Sequence, residues 1–162
     1  MVEPNKDLEQ IFENAVHVAG INNHEYITLE HFLYSMLNNE TFSTLLTSFG
    51  VDLKTFKEDL ENYIEKDLTV IVNPEVEKPK KTEILERMLN RAFTQVIFSR
   101  RNVIEPADCF ISMFSEKSSH ANFFINKANI DKDKFVTFLN KEAAREEVES
   151  ESKELQNVKL QT

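Results

Sequence analysis

The groups in this chain with chemistry to offer are four histidines, one cysteine and a large complement of carboxylates. His24-Glu25 and Glu30-His31 bracket a short loop, and imidazole with carboxylate is a ligand set that zinc accepts. The spacing is not that of His-Glu-x-x-His, which sets two imidazoles one turn apart on a single helix, so no catalytic metal is expected. His31, near a helix start, reads as a structural group, and His17 and His120 have no evident partner. Cys109 stands alone and can form neither an internal disulfide nor a thiolate metal pair. It lies in an apolar run from Ala107 to Phe114 and reads as a small buried hydrophobe. Gly20 and Gly50 lack the second glycine and the lysine of a phosphate-cradling loop. No Ser-His-Asp, Cys-His or paired-carboxylate arrangement can be assembled at a recognisable spacing, so catalysis is not expected.

Glu25, in the loop, and Glu30, in the first turn of the helix after it, have two readings. They complement a helix dipole, or they form an acidic patch for a basic or hydrogen-bonding partner surface. Arg100-Arg101 with Lys78, Lys80 and Lys81 is the local basic cluster and reads as solvated loop, with contact to an acidic segment or another domain as its alternative.

The elements that must position these groups are helical. Two glycines and four prolines in 162 residues are too few for a sandwich, a barrel or a doubly wound sheet, whereas 41% hydrophobic and 29% charged residues suit an ordinary globular core. The formal net charge of -9 argues against nucleic acid and anionic lipid as partners. There is no apolar run of membrane-spanning length, and the acidic start Met1-Val2-Glu3-Pro4 is unlike a signal peptide, so a cytoplasmic location is expected.

The chain repeats itself. Leu8-Glu9-Gln10-Ile11-Phe12-Glu13-Asn14-Ala15 lines up with Leu85-Glu86-Arg87-Met88-Leu89-Asn90-Arg91-Ala92 at a shift of 77, and Ile27, Ser35 and Met36 meet Ile104, Ser112 and Met113. After a two-residue insertion, Val51-Asp52, Phe56 and Leu60 meet Ile130-Asp131, Phe135 and Leu139. Thr28 is placed to cap one helix and Pro106 to open its counterpart. Gly50 and Asn129 suit left-handed helix ends, and Asp52 and Asp131 are placed to cap the last helix of each copy. Each copy therefore reads as four helices, at about 6–19, 29–38, 41–49 and 53–65, then at about 84–99, 106–115, 119–128 and 132–143. Phe123, Phe124, Phe135 and Phe138 are assigned to the core. Pro74 and Pro79 preclude a helix between the copies, so residues 66–82 read as an exposed linker with a β-like run from Leu68 to Val72. Residues 144–162, rich in Glu, read as a solvated helix or a tether.

The string Asn23-His24-Glu25-Tyr26-Ile27-Thr28-Leu29-Glu30-His31-Phe32-Leu33-Tyr34-Ser35-Met36-Leu37, with Val51-Asp52-Leu53 further on, resembles the N-terminal domain of the Clp/Hsp100 unfoldases. The resemblance runs over about residues 6–140 and, with Ser99-Arg100-Arg101-Asn102-Val103, is greatest to the ClpA branch. ClpC-type domains carry Gly-Thr-Glu-His in both halves; Glu105-Pro106-Ala107-Asp108 stands in the second place here, so the glutamate pair that reads phosphoarginine is incomplete.

The resemblance implies an all-α domain of two pseudo-symmetric four-helix repeats, with residues 1–143 as the domain and 144–162 as a tether toward AAA+ modules that hold ATP and magnesium. It implies a docking domain of a hexameric unfoldase that feeds a ClpP-type peptidase, the isolated domain itself being monomeric. Its implied partners are protein substrates and a ClpS-type adaptor that delivers proteins with destabilising N-terminal residues. The family's adaptor-contacting positions fall on Glu25, Glu30, Thr82 and Arg87, and the family's association with zinc adds modest metal binding by His24 with Glu65. The competing reading is a free-standing helical module of the same fold that binds a small molecule or a metal.

Overall fold

A computed structural model describes the backbone of residues 1–161 and the side chains through residue 157. The described chain is all-α, with four two-residue strands. In the first half α1 spans Lys6–Ile21, α2 Leu29–Leu37, α3 Glu40–Phe49 and α4 Leu53–Asn62. The second half contributes α5, Glu83–Phe98, α6, Pro106–Met113, and α7, His120–Lys127. Thr28 and Asp52 cap their helices as expected, and Asn5, Asn39, Thr82 and Ser119 do the same for four others, each side chain accepting a backbone N–H of the helix it precedes.

The shift of 77 is a shift in contacts as well as in letters. In α2 the Ser35 hydroxyl donates to the Ile11 carbonyl at 2.6 Å, and in α6 the Ser112 hydroxyl donates to the Met88 carbonyl at 2.8 Å. Asn14 Nδ2 donates to Ser35 Oγ, and Arg91, its counterpart, donates to Ser112 Oγ. Each bond fastens the first helix of a half to its second across a core of Leu8, Ile11, Phe32 and Met36, or of Leu85, Met88, Cys109 and Met113. Cys109 is buried as expected, and burial pushes its thiol well above the ordinary range.

The two halves trade strands. β1 (Glu3–Pro4), which leads into α1, pairs in parallel with β4 (Val103–Ile104), which leads into α6. β3 (Lys80–Lys81), which leads into α5, pairs with β2 (Tyr26–Ile27), which leads into α2. The flanking bonds match too: Asn5 N–H to the Ile104 carbonyl at 3.0 Å, and Thr82 N–H to the Ile27 carbonyl at 3.1 Å. Phe42 packs edge-on to Phe110, with ring centroids 5.3 Å apart, and closes the core between the halves.

Three expectations are corrected. The run from Leu68 forms a 3-10 turn, Leu68–Ile71, after a π-helical turn, Tyr63–Asp67; of the expected strand only Val72 makes a bridge, to His24. Residues 66–82 are mostly exposed, as expected of the linker, and are hydrogen-bonded to the first half near both ends. Phe123 is 59% exposed, whereas Phe124 and Phe135 are buried. The eighth helix does not stop near 143: α8 runs without a break over Lys132–Gln161, since Ala143-Ala144-Arg145-Glu146-Glu147 are strong helix formers and no Gly or Pro interrupts them. The chain divides into compact units after Asn129, so the boundary expected at 143 lies inside this helix. Within its own unit α8 begins with Asp131 accepting the Lys134 N–H and carries an Arg145–Glu142 ion pair.

Gly50, at φ 106°, ends α3, and Asn129, at φ 61°, stands just past α7. Because a side chain at Gly50 would be held in left-handed backbone, Gly50→Ala is expected to lower stability by about 1–2 kcal/mol in urea denaturation, while Asn129→Gly leaves it unchanged or higher.

Candidate functional site

The site expected from the sequence centres on the loop between α1 and α2. Asn23, at φ 56°, turns the chain back so that the His24 N–H reaches the Ala19 carbonyl at 2.9 Å. The interdomain segment then holds this loop on both sides. Glu25 N–H donates to the Ile71 carbonyl at 2.7 Å and Asn73 N–H to the Asn23 carbonyl at 2.6 Å, while Lys80 N–H donates to the Glu25 carbonyl at 3.0 Å. The side chain of Glu25 is left half-buried at the rim of a backbone that has no free edge.

Beneath the loop lies a buried histidine pair. His24 Nδ1 and His31 Nε2 are 2.8 Å apart. The Thr28 N–H can only donate, and it points at His31 Nδ1 at 2.9 Å, so His31 carries its proton on Nε2 and gives it to His24. Both rings are neutral. Burial, and then the neighbouring His24, pushes the His31 pKa down to about 3, and burial lowers that of His24. His31 at the third helical position reaches back to Thr28, the role usually taken by Glu or Gln.

The four expected adaptor positions do not form one patch. Glu25 and Thr82 stand at opposite ends of the parallel pair β2–β3, Glu25 before Tyr26 and Thr82 after Lys81, where the Thr82 N–H reaches the Ile27 carbonyl. Thr82 also caps α5, its hydroxyl oxygen accepting the Leu85 N–H at 3.2 Å. Arg87 is 56% exposed at its side chain but is tied to Glu116, with Nε 3.1 Å from Oε2. Arg87 and Arg91 together hold the Glu116 carboxyl below the usual range. In the same place of the first half Asn39 donates to Gln10 Oε1 at 3.0 Å and to the Asp7 carboxylate at 3.1 Å.

Glu30 corrects the expectation of a surface patch. It is only 7% exposed, and its Oε2 accepts the Ala121 N–H at 2.8 Å, so a carboxylate from the first half caps α7 of the second. Burial raises its pKa against the opposing pull of that N–H. His120, expected to lack a partner, lies 3.1 Å from the Tyr63 hydroxyl and stacks on its ring at 4.6 Å. Sequence reasoning had one available signal for this joint: α7 opens with a histidine after Ser119 and has no acidic residue in its first turn.

Of the two residues expected to bind zinc, His24 is buried with its Nδ1 bonded to His31, and Glu65 is exposed on the π-helical turn. The basic cluster is divided between two sheets, with Lys80 and Lys81 in β3 and Arg100-Arg101 before β4, where Arg101 pairs with Asp108.

The profile of the Clp repeat (R) N-terminal domain matches residues 3–128, the stretch that holds both halves and the traded strands. The chain belongs to that family. A "ClpA homolog protein" from Fuscovulum blasticum is 27% identical over 150 residues, which is 92% of this chain and 19% of the homolog, so this chain spans about a fifth of that relative's length. The fold is that of the Hsp104 N-terminal domain from Candida albicans, with a TM-score of 0.73 at 14% identity over 84% of this chain and 88% of that one. A ClpV N-domain solved in complex with a VipB peptide gives 0.58 at 17% identity, over 85% of this chain and 87% of that one. No helix among the described residues is long and apolar enough to cross a membrane.

Two measurements check this Clp N-domain's electrostatics. Glu30→Ala is expected to cost about 1–3 kcal/mol in chemical denaturation, because the buried Ala121 N–H loses its acceptor, whereas Glu25→Lys stays within about 0.5 kcal/mol of the parent. For the histidine pair the sign is set by their depressed folded pKa values. The unfolded chain binds protons below about pH 6.5 and the folded one does not, so their contribution is complete above that pH and is lost as pH falls toward 3. Glu30, with its raised pKa, acts in the opposite sense. His31→Gln keeps the reach to Thr28 and is expected to flatten the fall in melting temperature between pH 7 and 4.

Proposed function

We propose that this Clp N-domain is the docking module of a ClpA-type ATP-dependent unfoldase, and that the loop from Asn23 to Ile27, with Glu25 and Thr82 at its rim, receives a ClpS-type adaptor. The observation that carries this reading is the fixed backbone of the loop, hydrogen-bonded by the interdomain segment on both sides, which presents a half-buried carboxylate without an ordering cost on binding. A charge at such a rim steers association and sets its salt dependence. Arg87 is a second contact in this reading, offering the part of its guanidinium that Glu116 leaves exposed. Glu30 acts from inside, by holding α7 of the second half against α2 of the first.

In the same reading the adaptor delivers substrates with destabilising N-terminal residues, the parent protein works in the cytoplasm as a hexamer, and its ATP-binding modules pass unfolded chain to a ClpP-type peptidase. The ClpV N-domain seen with a VipB peptide supports a peptide-docking role for this fold.

The test is a calorimetric titration of the domain with the ClpS-type adaptor of the same organism at two salt concentrations. Saturable one-to-one binding that weakens with salt, and that falls at least tenfold in Glu25→Lys at unchanged melting temperature, is the expected result. Binding that Glu25→Lys leaves intact removes the loop from the interface, and no binding at tens of micromolar removes the adaptor.

A further inference from the structure

The pseudo-symmetry supplies an internal control for the loop that leads into the second helix of each half. At the shift of 77, Asn23 meets Arg100 and His24 meets Arg101, and the two loops are built alike. Each turns through a left-handed residue, Asn23 at φ 56° and Arg100 at φ 59°. They fold back on the helix they leave by matched bonds: the Asn23 and Arg100 N–H groups donate to the Gly20 and Ile97 carbonyls, and those of His24 and Arg101 to the Ala19 and Val96 carbonyls. A traded strand then lies along one side, where the Lys80 and Glu3 N–H groups donate to the Glu25 and Asn102 carbonyls, both at 3.0 Å.

The other side differs. In the first half it is filled by Ile71-Val72-Asn73, with Val72 in extended conformation and antiparallel to the loop. Val72 stands opposite His24, the Glu25 N–H donates to the Ile71 carbonyl at 2.7 Å, and the Asn73 N–H donates to the Asn23 carbonyl at 2.6 Å. This is one rung of an antiparallel ladder. The matching groups of the second half are the Asn102 N–H and the Arg100 carbonyl, and among the described residues neither has a hydrogen-bond partner. Arg100, Arg101 and Asn102 are all exposed. The second loop therefore keeps an open edge, with one donor and one acceptor set as the first half shows a strand can use them.

Charge indicates what that strand carries. Where the edge is covered, Asn23 and His24 are neutral, and so are Ile71, Val72 and Asn73 above them. Where it is open, the same two loop positions are both arginine. Arg101 is paired with Asp108, whereas Arg100 has no ion pair among the described residues. A basic edge favours a strand with carboxylates and disfavours a basic one. Phe98 and Val103, before and after the loop, are 78% and 38% exposed and offer contact to apolar side chains of the same strand.

We infer that the open edge of the α5–α6 loop takes an extended, acidic segment of a partner protein as an added antiparallel strand, in the place that residues 71–73 hold in the first half. An N–H of the segment donates to the Arg100 carbonyl, the Asn102 N–H donates to a carbonyl of the segment, and a carboxylate beside them meets the Arg100 guanidinium. The inference stands apart from adaptor docking, which concerns the first loop.

The first half supplies the probe. It is a capped peptide with the sequence of residues 69–75 and the change Asn73→Asp, which sets a carboxylate beside the N–H that donates to the loop. The peptide is titrated to about 1 mM into the isotope-labelled domain and followed by NMR. Saturable shifts of the amides of residues 100–103 are expected, with slowed exchange of the Asn102 N–H. N-methylation of the peptide at its Asp is expected to weaken binding by about tenfold, the worth of one hydrogen bond. Arg100→Asn installs the residue that the first half uses in the same left-handed backbone, so it is expected to leave the melting temperature unchanged or higher and to weaken binding by about threefold, as for an exposed charge. Four results would each overturn the inference: no saturable shift at residues 100–103, an N-methylated peptide that binds as well as the parent, an Arg100→Asn domain that binds as well as the wild type, or concentration-dependent shifts of these amides in the free domain, which would assign the edge to a second copy.

Discussion

The structure depends on an exchange of strands between its halves. Two residues before α1 are hydrogen-bonded to the second half, and two residues before α5 are hydrogen-bonded to the first. Each half pairs its helix-leading strand only with the other, and since β1 and β3 are themselves exposed, the exchange acts by fixing where α1 and α5 begin against the opposite half. The exchange also dictates what the interdomain segment must do. To place Lys80 beside Tyr26 it has to run along the α1–α2 loop, and its earlier part bonds the other side of that loop on the way. The rigidity of the candidate docking loop is therefore a by-product of how the halves are joined.

The asymmetry between the halves is as informative as their likeness. The same serine-to-carbonyl bond holds α2 on α1 and α6 on α5, but the neighbouring polar position is an amide pair in one half and an arginine–glutamate pair in the other. The first loop is bonded on both sides by the segment between the halves, whereas among the described residues the second is bonded on one side, by the Glu3 N–H to the Asn102 carbonyl. Glu30 is opposed by Ala107 in the matching position, so the carboxylate that caps α7 works in one direction only. A duplicated body has thus acquired one loop suited to present a charge and one joint that reports on whether the halves are correctly seated.

Much of this was legible in the sequence because it is written in caps and periods. Thr28, Asp52, Pro106, Gly50 and Asn129 mark helix ends by local backbone chemistry, and local chemistry survives translation into structure. What was not legible depended on groups far apart in the chain. Glu30 reads as a first-turn surface carboxylate until α7, 91 residues on, is set against it. His24 reads as a possible zinc ligand and His31 as a structural group, and only the folded loop shows that each satisfies the other. The run after Leu68 has the composition of a strand, but strands require a partner along their length, and only Val72 finds one. The exchanged strands are two residues long, too short for any periodicity to announce them.

The central claim is that the loop between α1 and α2 is held rigid by the traded strands and is the surface on which the adaptor lands. Amide hydrogen exchange of the domain, alone and saturated with the ClpS-type adaptor, tests this most directly. The account requires slow exchange at Glu25, Asn73, Lys80 and Thr82 already in the free domain, and adaptor-dependent slowing confined to the loop and the segment that flanks it. Fast exchange of those amides in the free domain, or adaptor-dependent slowing at the Phe93 to Val103 surface with none at the loop, would contradict it.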